Sequence, residues 1–233
     1  MPSAARKKAK SSPAIKRPPT RKPYRIVLPE SGDWTLHDLY VFPHTYEQCY
    51  TFIYCLDTEL PARDKEAIDY AFMKYPWKGG YSYTNFYAIL SRQVPLKERP
   101  RIASLHKASP GWIDLVLNLD AAVEVAKAIA VMSGSAAAAA AAYKKAWTLL
   151  LSIRTEREKA KVQQLQLRQS QVKAIRGTCD ELAKGLGFKS LADLHKRTND
   201  PEVSLKILAA HYRRMRTLLE FESKDKAVLP CDK

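Results

Sequence analysis

Residues 136–176 contain neither glycine nor proline, and they open on seven consecutive alanines. Alanine is the strongest helix former, and nothing in the following residues interrupts a helix. If unbroken, these 41 residues would form a rod of about 60 Å at about 1.5 Å per residue. Its second half, TEREKAKVQQLQLRQSQVKAIR, carries few apolar side chains. Leu151, Leu165, Val172 and Cys179 fall on a seven-residue grid, but Glu158 fills the missing slot, so the coiled-coil signal is incomplete. A helix this long and polar needs cover. Either another chain supplies it, which predicts a homo-oligomer or a partner helix, or the C-terminal helices fold back.

Upstream, DAAVEVAKAIAVM reads as a helix that Gly134 kinks or ends. The most apolar window, residues 128–142, is shorter than a span requires, and Lys127, Lys144 and Lys145 bound it. A membrane is therefore not the expected partner. The alanines suit a close helix–helix seam instead. Before that helix, HKASPGWIDLVLN places Ile113, Leu115 and Leu117 on one side and Asp114 and Asn118 on the other. That is strand period, and Pro110-Gly111 suits the centre of a type II turn. Ser109 as N-cap with Pro110 at N1 would equally suit a helix start, and that alternative stays open here. In the hairpin reading, the helix begins near Leu119 or Asp120.

Toward the N-terminus, residues 34–42 alternate as a first strand ended by Pro43, and residues 44–57 set an apolar helical face. Pro61 opens a second helix. Residues 81–94 are aromatic and β-branched and read as a strand, with residues 101–107 pairing back on it. The fold class expected is α+β: a small N-terminal sheet with packed helices, a long helix, and a C-terminal helical section. A ferredoxin-like arrangement is the nearest familiar one, and it needs a fourth strand. The expected divisions are a basic tail over 1–25, a head over 26–118, a long helix over 119–177 and a helical section over 178–233.

In that last section Gly177 would close the rod. Thr178 with Glu181, and Ser190 with Asp193, would each make a capping box. Asp200-Pro201 starts a final helix to about Ser223. Residues 182–198 have the outline of a helix-turn-helix, with Lys189, Lys196 and Arg197 toward phosphates, although two short packed helices explain them as well.

Charge carries the clearest functional signal. Of a net +15, nine cations and no acids lie in the first 25 residues, which leaves +6 for the rest. That tail has no apolar period and is expected to be disordered. The candidate polyanion-binding residues are Arg6, Lys7, Lys8, Lys10, Lys16, Arg17, Arg21 and Lys22, with Arg213, Arg214 and Arg216 as a second patch. They would hold nucleic acid nonspecifically, by releasing its counterions. The histidines are scattered and complete no zinc pattern, and no metal or cofactor is expected. No nucleotide-binding, metalloprotease or hydrolase motif occurs, so no catalytic residue is nominated. Tyr81, Tyr83, Phe86 and Tyr87 could stack bases on an exposed strand, or simply fill a core. Four cysteines without paired spacing, and a start unlike a secretory signal, point to a cytoplasmic protein with reduced thiols.

At IASLHKASPGWIDLVLN followed by DAAVEVAKAIAVM, the chain resembles a set of uncharacterised bacterial proteins. In these a strand ends at Ser-Pro, and a short apolar strand leads into an apolar and then a charged helix. The resemblance covers about residues 100–170. It implies adaptor or effector roles in bacterial conflict or immunity systems, and it assigns no catalytic residue. The leading expectation is a non-enzymatic binding and assembly protein that self-associates through helices and touches a polyanion with its tail. The alternative is a conflict-system effector or adaptor that acts on membranes or partner proteins through the alanine-rich helix.

Overall fold

A computed structural model describes residues 23–29, 33–56, 60–74, 82–161, 166–188 and 191–232. The elements run β1 (Tyr24–Leu28), α1 (Leu36–Leu56), α2 (Ala62–Lys74), α3 (Ser82–Gln93), β2 (Arg101–His106) and β3 (Gly111–Val116). They continue with α4 (Leu119–Gly134), α5 (Ala136–Ala160), α6 (Gln169–Gly185), α7 (Ala192–Thr198) and α8 (Pro201–Ser223). The class is α+β, with a small antiparallel sheet near the N-terminus and helices packed on it.

The sheet has three strands in the order β1-β3-β2. Both pairings are antiparallel, with Ile26 opposite Ile113 and Leu105 opposite Ile113. No fourth strand joins them among the described residues, so the ferredoxin-like arrangement does not hold. β1 lies across the boundary expected at residue 25, because Tyr24 and Ile26 are buried at period two. β2 and β3 form the expected hairpin. Its turn falls earlier than a type II turn centred on Pro110-Gly111. Ser109–Pro110 is cis, and Gly111 already pairs with Leu28.

Two expected strands are helices. Residues 34–42 lead into α1, where Thr35 and Asp38 form a reciprocal cap. The Asp38 N–H donates to Thr35 Oγ1 (3.1 Å), and the Thr35 N–H donates to the Asp38 carboxylate (2.9 Å). Pro43 sits inside that helix rather than ending it. Phe42, Tyr46, Cys49 and Tyr50 then recur at helical spacing on the buried side. Residues 81–94 mostly form α3, where Phe86, Tyr87 and Leu90 are buried, and Val94 just past its end is buried too. Their spacing of one, three and four residues is helical. Packing overrides the strand preference of the aromatic residues.

The rod also breaks. α4 starts at Leu119, with the Asn118 side chain accepting the Ala121 N–H at 3.1 Å. It bends by 93° into α5 just after Gly134. α5 stops at Lys161, whose φ is 52°, and α6 runs back along it. Lys145 meets Glu181 (2.6 Å), Gln171 meets Glu156 (3.0 Å), and Gly185 faces Ala139. Residue numbers rising on one helix as they fall on the other mark an antiparallel hairpin.

Small residues meet where Ala139 of α5 faces Gly185 of α6, and Ala142 and Ala146 of α5 are buried as well. A Cβ on Gly185 would stand 3.0 Å from that of Ala139. Gly177 and Thr178 lie within α6, and the Thr178 hydroxyl donates to the Ala174 carbonyl (2.8 Å), so neither ends nor caps a helix there. α6 closes at GLGF, where Gly187 adopts φ +78° and the Phe188 N–H reaches the Ala183 carbonyl (3.0 Å). Ser190 lies outside the described residues.

α8 begins as expected, with the Asp200 carboxylate accepting the N–H groups of Glu202 (2.8 Å) and Val203 (3.3 Å). It is the most enclosed helix, packed on α1, α4, α5, α6 and α7. Leu205, Leu208, Ala210, Met215 and Leu218 have essentially no exposure. Each large aliphatic chain there contributes about 1.5–3 kcal/mol through burial. One hydrophobic cluster includes residues from β1, α1, α4 and α8, so the expected head and the C-terminal helices share a core.

Candidate functional site

Of the eleven nominated polyanion contacts, Arg6, Lys7, Lys8, Lys10, Lys16, Arg17, Arg21 and Lys22 lie outside the described residues. The second patch does not assemble. Arg214 is turned inward, with Nε donating to the Gln48 side chain and Nη1 to the Ala210 carbonyl (3.0 Å). Its guanidinium lies 3.9 Å from the Tyr87 ring centre. Arg213 donates to the Tyr143 hydroxyl (3.4 Å), and Arg216 pairs with Glu220 (3.4 Å).

Of the helix-turn-helix cations, Lys189 lies outside the described residues, Lys196 is exposed and Arg197 does not face outward. Arg197 is buried, where it pairs with Asp69 (3.0 Å) and donates to the Cys55 carbonyl. A side chain held there does not face phosphate. Phe86 and Tyr87 are core residues rather than a stacking platform; Tyr83 lies in α3, and Tyr81 falls outside the described residues.

The described interior holds several polar and titratable groups. His211 is fully buried against Phe52, with ring centres 4.4 Å apart. Desolvation and then the charge of Arg214 push its pKa down to about 3. Burial raises the Cys55 and Cys179 thiols to about 12 and the Cys49 thiol further, so they are poor nucleophiles. Burial raises the Glu202 carboxyl, but hydrogen bonds from Arg157 and Lys206 outweigh it and hold the group below its usual value. No cluster of three potential metal ligands occurs among the described residues.

Open surface lies between α2 and α3 and between α5 and α6, in grooves of about 520 Å³ each, and at the sheet. On its outer face Arg25 grips Asp114 through two hydrogen bonds (2.7 and 3.0 Å), and Ser104 donates to the same carboxylate (2.8 Å). Trp112 lies between its cross-strand neighbours. The Arg25 guanidinium is 4.7 Å from its ring centre, and the His106 ring stacks on it at 4.2 Å. That ladder satisfies itself and offers no free aromatic face on Trp112.

The inner face differs. α1 covers only part of it, and a groove of about 380 Å³ remains between Tyr40, Pro43 and His44 of α1 and Ile102, Ile113 and Leu115 of the sheet. Tyr40 and Ile102 are 68% and 62% exposed at its rim, and Leu105 nearby is 57% exposed.

Sequence reasoning missed this surface because Ile102 and Leu105 are three apart and should face opposite ways in a regular strand. The register slips by one between Ile102 and Ser104. That bulge puts Ile102, opposite Leu115, and Leu105, opposite Ile113, on the same side. Composition does not reveal a bulge; only the pairing does.

Of the apolar window 128–142, Ala128, Ile129, Met132, Ala139 and Ala142 are buried, while most of its other residues are exposed. No single helix among the described residues is long and apolar enough to cross a membrane. Comparison with protein-family models, with curated proteins and with solved structures finds no match for this chain.

Proposed function

We propose that this chain is a non-enzymatic binding protein, whose basic N-terminal segment contacts a polyanion such as nucleic acid without sequence preference. The segregation of charge carries the reading. Eight Lys or Arg and no acid precede Pro23. In the body behind them, by contrast, several cations are committed to acids, in Arg25–Asp114, Arg197–Asp69, Lys206–Glu202 and Lys226–Asp38. A dense, unbalanced run of cations gains affinity by releasing counterions from phosphates.

The test compares the full chain with one lacking residues 1–22, for binding to DNA and RNA at two salt concentrations. Truncation at residue 25 would confound the result, since Tyr24 and Arg25 belong to β1. The full chain is expected to bind with a steep salt dependence, its log–log slope approaching about −7 if all eight cations engage duplex phosphates. The shortened chain is expected to lose most of that affinity. Equal binding by the two would remove the segment from the account.

Self-association through the long helix has less to recommend it, because α5 finds its cover in α6 and α8 of the same chain. Action on membranes through the apolar residues 119–142 would require Val123, Val125, Ile129 and Met132 of α4 to leave the core they fill. A cytoplasmic site of action, and a role in bacterial conflict systems, stay as proposals resting on cysteine usage and on the resemblance.

A further inference from the structure

The sheet has two outer strands, and only one is covered. Beside β1, Val27 and Val228 exchange backbone hydrogen bonds (3.1 and 2.9 Å) and the Tyr24 hydroxyl donates to the Pro230 carbonyl (2.9 Å). β2 has no such neighbour among the described residues, and all six of its residues are exposed. An open edge offers unpaired N–H and C=O groups along its length, a ready template for another strand.

The side chains of this edge sort by chemistry. Ile102 and Leu105 lie on the inner face, beside the groove under α1. Arg101 and His106, opposite Val116 and Trp112, lie on the outer face. Lys97 and Lys107 are exposed near the two ends of the strand. Neither lysine nor Arg101 pairs with an acid among the described residues. Arg99 is turned back onto the Val94 and Arg92 carbonyls (2.9 and 3.1 Å). The acid nearest the groove is Glu47, which lines its α1 wall and accepts a hydrogen bond from Ser91 (3.2 Å).

From this we infer that β2 is a docking edge for an extended acidic peptide, one that alternates acidic with apolar residues and adds as a fourth strand. Main-chain hydrogen bonds hold such a strand, and alternate side chains set its specificity. Its apolar side chains extend the row of Ile102 and Leu105 into the groove, and its carboxylates lie on the other face, level with Arg101 and His106. Glu47 repels an acid placed on the groove side, so it opposes the reversed alternation. The same charges argue against a second copy of this chain, since two basic edges would meet. They argue equally against the chain's own basic segment.

The experiment uses the full chain and two labelled peptides of about eight residues, long enough to span a strand of this length. One alternates Glu with Val; the other has the same composition with Glu and Val in separate blocks. Binding is read by fluorescence anisotropy, and amide hydrogen exchange is followed over residues 101–106. The alternating peptide is expected to bind at least about ten-fold more tightly than the blocked one, and to slow exchange in β2. The double variant Ile102→Ser, Leu105→Ser, which keeps the charge of the chain, is expected to abolish both effects.

Equal binding of the two peptides without protection in β2 would mean contact with the basic segment alone, and would overturn the proposal. So would binding of neither peptide. Protection of β2 that grows with protein concentration in the absence of peptide, together with a dimer by light scattering, would give the edge to a second copy.

Discussion

The two edges of the sheet solve the same problem in opposite ways. At β1, residues 226–230 lie alongside the strand, tied by Val228 to Val27, by the Lys226 carbonyl to the Trp34 indole N–H (2.9 Å) and by the Lys226 ammonium to Asp38 (2.7 Å). At β2 nothing described lies alongside, and the strand is guarded only by a bulge and by cations. A covered edge contributes to stability and is lost to binding; a guarded but open edge does the reverse. The difference separates what holds this molecule together from what it has left to offer a partner.

The largest effect is expected where the covered edge meets the core. Trp34 packs on Phe42 and Phe221, both at 5.5 Å between ring centres, while its N–H holds residue 226. Trp34→Ala removes both the packing and the anchor. It should cost about 2–4 kcal/mol, below the full range for a buried aromatic because Trp34 is only partly enclosed. Urea denaturation measures the loss, and hydrogen exchange should quicken at Val27 before it does at β3. Uniform quickening would mean that residues 226–230 do not act as a separate cover.

Acid should weaken the molecule in two overlapping windows. His211 binds its proton at about pH 3 in the folded chain, and near pH 6.5 when unfolded. The unfolded state therefore takes up more protons between those values. The stability from keeping His211 neutral is complete above about 6.5 and falls as pH drops, by up to about 1.4 kcal/mol per pH unit. His211→Phe, placed among Phe52 and Phe188, should flatten that slope between pH 6 and 4. An unchanged slope would show that the imidazole is hydrated or protonated in the fold.

Asp38 acts lower. The hydrogen bond from Lys226, then that from the Thr35 N–H, holds its pKa at about 2. Its contribution is present above its unfolded value of 3.8 and is lost as pH falls from there toward about 2. Asp38→Asn should therefore cost about 1 kcal/mol at neutral pH, and less at pH 2. Exchange at Val27 reports it locally.

Local signals reached some of this architecture and not the rest. Asp200-Pro201, Pro61 and Gly134 each mark a helix end by chemistry that acts within one turn, and the helices begin or end beside them. The Thr35–Asp38 cap is just as local, but strand-like alternation in residues 34–42 outweighed it. The sequence of α3 reads as a strand because its aromatic residues favour strands until a core claims them on one helical face. α5 ends on a left-handed Lys161, a conformation that few non-glycine residues adopt and that composition does not announce. The candidate surface was the least legible. Its apolar side chains come from β2 and α1, far apart in sequence, and the bulge that aligns Ile102 with Leu105 is a property of the pairing.

The smallest expected effect bears most directly on the contrast between the edges. Ile102→Ser with Leu105→Ser removes two large aliphatic side chains, a change that would cost several kcal/mol in the core. Here Ile102 and Leu105 are already mostly in water, at 62% and 57% exposed, so folding gains little from them. The double variant should shift the urea midpoint by less than the equivalent of about 0.5 kcal/mol. Solubility should rise, because an apolar edge strand promotes association in proportion to its exposed side chains. A loss of 2 kcal/mol or more would mean that these residues are covered in solution, by another segment of the chain or by a second copy. The open edge would then be closed, and both edges of the sheet would serve stability alone.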